Sequence, residues 1–181
     1  MKVHFLSGDL VYLRPIERGD ARSLLPWVNN PEVTRTLLIH RPVNMEAEEK
    51  FIERLALDET IVGLGIVEKT SDRLVGTTSL QQLDSRSRHA QFGILIGDPA
   101  DWGKGFGTEA TRLIVGYGFL TLNLHRVWLH VAVDNLAGIR AYEKAGFRRE
   151  GLLREALYTG GRYVDLVAMG ILRNELAGGR P

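Results

Sequence analysis

Asp101-Trp102-Gly103-Lys104-Gly105-Phe106-Gly107-Thr108-Glu109-Ala110 stands between an apolar run, Ala90 to Ile96, and a stretch carrying Leu113, Ile114, Tyr117 and Leu120 at helical spacing. The order reads as strand, glycine loop, helix. In such a junction backbone N–H groups converge at the helix N-terminus, and the helix dipole adds positive potential, which suits a phosphate or pyrophosphate. Glycine matters because a side chain would hold the anion off the backbone and because some positions of such a nest need positive φ. A tight turn without a ligand explains the same glycines, so the loop alone leaves both readings open. Two familiar phosphate loops fit poorly. The run Gly103 to Gly107 lacks the closing Gly-Lys-Ser/Thr of a nucleoside triphosphate loop, and its spacing is not Gly-x-Gly-x-x-Gly with an acid about twenty residues on.

Working upstream, Ile61 to Val67, Leu74 to Leu80 and Ala90 to Ile96 read as three consecutive strands. They are separated by the turn-like Thr70 to Arg73 and Asp84 to Ser87, which predicts a central antiparallel meander. Before them Leu10 to Arg14 alternates and stops at Pro15. Asp20 is placed to cap a helix with Ala21, Leu24, Leu25, Trp27 and Val28, and a second helix is expected over Met45 to Leu57. Downstream of the loop a helix leads to a strand over Arg126 to Val133, a helix from Asn135 to Lys144, and closing strands near Phe147 and over Val164 to Ile171. Alternation of strands and helices implies α/β or α+β packing. The chain has no repeat or linker, so a single domain over residues 1–181 is expected, with 177–181 as a flexible tail.

A second cluster, Asp134-Asn135-Leu136-Ala137-Gly138-Ile139-Arg140-Ala141-Tyr142-Glu143-Lys144-Ala145-Gly146-Phe147, spans the last of these helices. Asn135 and Tyr142 are nearly two turns apart, so both can face one cleft. An ordinary amphipathic helix with an Asn N-cap, an inward Tyr and a Gly C-cap would look the same.

The two clusters together resemble the GNAT N-acetyltransferase superfamily. Its pyrophosphate loop reads Gln/Arg-x-x-Gly-x-Gly/Ala. Here Trp102 takes the first place, as an aromatic residue often does in the ribosomal-protein N-terminal acetyltransferase branch. Its second coenzyme A motif is an Asn followed by Ala-Tyr-x-Lys-x-Gly-Phe, close to Asn135 through Phe147. Leu13-Arg14-Pro15, Trp27 to Val33 and Glu49 to Ile52 are similar to the amino-terminal half of that branch, so the resemblance covers nearly the whole chain. It implies an α/β (α+β) GNAT fold: a mixed, mostly antiparallel sheet of about six to seven strands flanked by helices, splayed at the coenzyme A cleft. It further implies that acetyl-coenzyme A is the cosubstrate, that no metal is needed, and that the backbone of Gly93, Ile94, Leu95 and Ile96 bonds the pantetheine arm. Trp102, Gly103, Lys104, Gly105, Phe106, Gly107 and Thr108 would hold the pyrophosphate region, with Asn135, Arg140 and Tyr142 on the facing helix. Tyr142 would act as general acid at the sulfur, and Asn135 would orient the pantetheine arm.

Composition bounds the chemistry. A formal charge of +1 gives no overall attraction to nucleic acid, and no apolar run reaches the length of a membrane span. With only a short apolar stretch at the amino terminus, a cytoplasmic location is expected. There is no cysteine, so no enzyme thioester can form, and direct transfer to the amine in a ternary complex is the economical mechanism. Many relatives carry Glu-Ile-Gly-Tyr on the strand before the loop; this chain has Gln91-Phe92-Gly93-Ile94, and an amide cannot take a proton at neutral pH. Asp98, Glu109 or a water chain remain candidates for the base, with Glu109 better explained as a helix-dipole partner. The histidines share no metal-ligand spacing and read as structural or surface residues, and Trp27 reads as core more readily than as a pocket wall. The resemblance favours a protein or peptide N-terminal amine as acceptor. A small amine such as an amino acid, polyamine or antibiotic, or a non-catalytic coenzyme A sensor, are the alternatives, and a homodimer is a possible assembly.

Overall fold

The alternating run after Gly8 forms β2 (Val11–Pro15), antiparallel on one side to the two-residue β1 (Leu6–Ser7) and on the other to β3 (Val62–Glu68). The computed structural model describes residues 4–35, 37 and 41–176; His40 and the tail 177–181 lie outside the described residues. β3, β4 (Arg73–Asp84) and β5 (His89–Ile96) form the expected antiparallel meander. β5 then pairs in parallel with β6 (Arg126–Ala132), a connection that needs a crossover, supplied by α4 (Phe106–Leu120). β6 pairs antiparallel with β8 (Arg162–Leu172), which carries β7 (Arg148–Thr159) at the sheet edge. The order is β1-β2-β3-β4-β5-β6-β8-β7, a mixed and mostly antiparallel sheet of eight strands. It holds one strand more than the sequence pattern suggests, because β1 is too short for alternation to register.

The helices follow their local signals with one exception. α3 (Met45–Leu57) starts where Asn44 Oδ1 accepts the Ala47 N–H at 2.9 Å. α1 (Ala21–Val28) does not use Asp20 as a side-chain cap. The Asp20 carboxylate instead takes the Arg14 guanidinium at 2.7 and 2.8 Å and the Glu17 N–H at 2.8 Å, closing a short turn of 3-10 helix before α1. A charge-assisted bidentate pair outweighs a single cap bond. The four-residue α2 (Pro31–Thr34), capped by Asn30, is too short to show a helical period.

α4 lays Ala110, Ile114, Val115 and Phe119 on the sheet against Val11, Leu13, Leu80 and Val127, all nearly fully buried. Each large side chain buried this way contributes roughly 1.5–3 kcal/mol. A smaller cluster of Ala21, Leu24 and Ile52 joins α1 to α3, with Trp27 packed on it. Among the described residues no helix is long and apolar enough to cross a membrane.

Candidate active site

β5 and β6 pair only through His89–Arg126, Ala90–Val127 and Gln91–Trp128 and then part. On its other side β5 stays bonded to β4 as far as Ile96. From Phe92 onward one edge of β5 therefore offers backbone N–H and C=O groups to the gap between the strands. The gap leads into a cavity of about 450 Å³ bounded by β5, the glycine loop, α4 and α5 (Leu136–Lys144).

The loop takes the shape the glycines suggest. Gly103 and Gly105 have φ of 78° and 92°, left-handed values that residues with a Cβ adopt at a cost. Gly105 sits at the N-cap of α4, so the following N–H groups have no helical acceptor and point to the cavity end of the helix. Trp102, in the place where Gln or Arg is usual, donates its indole N–H to Ile96 O at 3.0 Å and ties the loop to the end of β5.

Lys104, expected from the sequence in the pyrophosphate region, turns its side chain to Asp101. Its ammonium lies 2.8 Å from Asp101 Oδ1, and it is absent from the cavity wall. The Asp101 side chain, 2% exposed, also holds the Arg73 guanidinium at 2.8 and 2.9 Å. The Arg73 hydrogen bond keeps the Asp101 carboxyl below the usual carboxylate range; burial opposes that and Lys104 adds to it. Two cations thus offset the acid that stands next to the anion loop.

On the facing wall, Asn135 caps α5 by accepting the Gly138 N–H at 2.9 Å, which leaves its amide NH₂ for other partners. Tyr142 meets Phe92 edge-on at 5.8 Å and 78°, with Phe147 at 6.2 Å. Its hydroxyl makes no hydrogen bond among the described residues, and burial pushes the phenol up to about 12. The cause is the loss of water around the phenolate, so the group keeps its proton throughout the neutral range.

The cavity wall therefore brings together Ile94, Leu95, Ile96, Trp102, Gly103, Gly105, Phe106, Gly107, Thr108, Asn135, Arg140 and Tyr142. It adds residues that the motifs missed. Ala137, Ala141 and Lys144 follow the same helical face, a spacing legible in the sequence. Glu32 and Val33, at the end of the stretch similar to the family's amino-terminal half, come from α2, and Arg35 and Leu37 follow it; no motif assigns any of the four to the site.

The proposed bases do not join them. Asp98 caps the turn at Pro99 by accepting the Ala100 N–H, and Glu109 turns away from the cavity to the β1–β2 turn. Glu109 keeps the first-turn place in α4 expected of a dipole partner, with both carboxylate oxygens bonded to backbone N–H groups away from the cavity wall. Gln91 accepts from the Gln82 amide at 2.8 Å. Trp27 packs on the α1–α3 cluster and against Gly97, off the wall. Among the described residues no three His, Asp or Glu side chains group as metal ligands.

Residues 11–148 match the model of the acetyltransferase (GNAT) domain. The chain belongs to the GNAT acetyltransferase family. A spermidine N(1)-acetyltransferase of Vibrio cholerae is 32% identical over 163 residues, covering 90% of this chain and 93% of the relative. An uncharacterized N-acetyltransferase, p20, of Bacillus licheniformis is 31% identical over 176 residues, covering 96% and 98%. The crystal structure of the Vibrio cholerae spermidine N-acetyltransferase in complex with CoA and spermine superposes with a TM-score of 0.85 at 31% identity, covering 92% of this chain and 97% of that one.

As a GNAT protein the chain is an acetyl-coenzyme A-dependent N-acyltransferase. Its residues fit the cosubstrate: a glycine nest for the pyrophosphate, an open strand edge for an amide-bearing arm, and an apolar end at Tyr142 for the thioester.

Proposed function

We propose that this GNAT enzyme acetylates a primary amine of a polyamine, by direct attack in a ternary complex. When bound, acetyl-coenzyme A supplies an activated acetyl group with a thiolate as leaving group. The observation that carries the reading is the cavity itself, in which the cofactor-facing residues and the α2 residues line one continuous space. Glu32 lies on the α2 wall, and its carboxylate forms no ion pair among the described residues, whereas Asp101 on the same cavity is already paired. An acid of this kind suits a substrate with a second positive charge at a distance from the reacting amine. The spermidine acetyltransferases that match over nearly the whole chain support the same class. The protein N-terminal amine expected from the sequence is set behind it for that reason.

In this reading the Tyr142 hydroxyl holds the proton for the leaving sulfur. A phenol near 12 donates poorly to a thiolate of ordinary basicity, about 8.5. The same apolar pocket that raises the phenol raises any thiolate held beside it, which brings the two proton affinities closer together. Asn135, whose oxygen already accepts from Gly138, has its amide NH₂ left to donate to the cofactor arm.

The test is thiol release from acetyl-coenzyme A with spermidine, spermine, a simple monoamine, an aminoglycoside and a peptide with a free amino terminus. Spermidine or spermine should give the highest kcat/KM. A higher value for the peptide would move the acceptor to a protein N-terminus. No release with any amine would leave a coenzyme A sensor.

A further inference from the structure

The Glu109 carboxylate, in the first turn of α4, accepts hydrogen bonds from three consecutive backbone N–H groups. Asp9 donates at 2.9 Å, Leu10 at 2.8 Å and Val11 at 2.7 Å. The first two amides belong to the turn joining β1 to β2, and the third is that of the first residue of β2. The turn is pinned from the sheet as well: the Lys69 N–H donates to Leu10 O at 2.9 Å, and Lys69 Nζ donates to Gly8 O at 2.6 Å. Gly8 leaves room for the carboxylate, since a Cβ there would lie 2.4 Å from Glu109 Cδ. Leu10 reaches the glycine loop, where its Cδ1 would be 3.2 Å from a Cβ built on Gly105.

We propose that Glu109 is a positioning residue for coenzyme A, which clamps the glycine loop and the first turn of α4 to the sheet through the β1–β2 turn. Two physical features make the clamp specific. The carboxylate is within one turn of the anion nest, where an unsatisfied negative charge would oppose a pyrophosphate. Three amides absorb that charge on the side away from the cavity, so the acid stiffens the loop with little electrostatic opposition to the ligand. The clamp also fixes α4 relative to β5 through the sheet, so the pyrophosphate nest and the open strand edge keep one spacing.

The test is calorimetric titration of the purified protein with coenzyme A alone, alongside thermal melts, for the wild type and for Glu109→Gln, Glu109→Ala and Gly8→Ala. No acceptor is needed, so the result is independent of the polyamine reading. Glu109→Ala should raise the coenzyme A Kd by on the order of tenfold or more while the protein remains folded at the titration temperature, with Glu109→Gln in between. Gly8→Ala, which pushes the carboxylate off its amides, should shift the Kd in the same direction. The double variant Gly8→Ala/Glu109→Ala should bind no more weakly than Glu109→Ala, because both act through one contact. Lower melting temperatures with an unchanged Kd would reduce Glu109 to a structural strut and overturn the proposal. Tighter binding by Glu109→Gln, growing as salt is lowered, would show that its charge matters more than its geometry and overturn it equally.

Discussion

A Cβ atom placed on Gly97 would fall 1.8 Å from Cδ2 of Trp27, so the indole occupies the space that any other residue at 97 would need. Gly97 directly follows β5, and its N–H donates to Val75 O at 3.0 Å, which leaves the backbone little freedom to retreat. Gly97→Ala should therefore cost about 1–3 kcal/mol through overpacking. That corresponds to a drop of roughly 2–4 °C per kcal/mol for a chain of this length. Calorimetric melts provide the measurement, and trimming the ring by Trp27→Leu in the same chain should recover part of the loss. A stable Gly97→Ala protein with an unmoved melting temperature would show that the indole swings aside freely.

Tyr142→Phe removes only a hydroxyl that makes no hydrogen bond among the described residues, so packing on Phe92 and Phe147 should survive. If the phenol supplies the proton, kcat should fall by roughly 10²–10⁴-fold. The coenzyme A Kd, measured by titration, should stay within about twofold of the wild type. Unchanged turnover removes Tyr142 from the acid role.

The same phenol predicts an alkaline limb in stability. Its folded pKa, about 12, lies above the unfolded value near 10, so the folded state keeps a proton that the unfolded state has lost. Stability is fully present below pH 10 and should decline as pH rises from about 10 to 12, because the unfolded chain binds fewer protons in that window. Urea melts at intervals across this range should show a steeper decline for the wild type than for Tyr142→Phe. Parallel curves would show that burial does not hold the proton.

Asp101 gives the opposite sign. Held below the usual range by Arg73, it contributes stability that is present above its unfolded pKa near 3.9 and lost as pH falls below that. Asp101→Asn should cost about 1.5–3 kcal/mol at neutral pH, the scale of a charge-assisted hydrogen bond. It should also flatten the acid limb of a melting-temperature profile below about pH 4. An acid limb as steep as that of the wild type would assign the effect to other carboxylates. Released from its partner, Lys104 becomes available to an anion in the loop, so coenzyme A binding by this variant should gain salt dependence.

Much of this arrangement is legible in short stretches of sequence. The limits of α3 follow from Asn44 and the apolar spacing after it, and the strand, loop and helix around Gly103 to Gly107 follow from local period and glycine placement. Even the Lys104–Asp101 pair had a local sign, since acid and base three residues apart face each other on a turn. The partners that fix the chemistry lie further off. Arg73 reaches Asp101 across 28 positions, and Glu109 reaches Val11 across 98. No periodicity encodes such distances. β7 is hard to read from sequence for another reason: nearly all of its residues are exposed, so it lacks the in-and-out alternation that burial writes into a strand. The α2 wall of the cavity is a single capped turn whose relation to Tyr142 exists only in three dimensions.

The early parting of β5 from β6 leaves one edge of β5 without a strand partner from Phe92 onward. Beyond Gln91 the sheet offers an edge that a cofactor arm with alternating amide groups can pair with as a strand would, adding its own bonds to the fold. Ligand at a hundred times its Kd raises folding stability by about 2.7 kcal/mol. Coenzyme A bound along this edge should therefore raise the melting temperature of the protein in step with its free concentration.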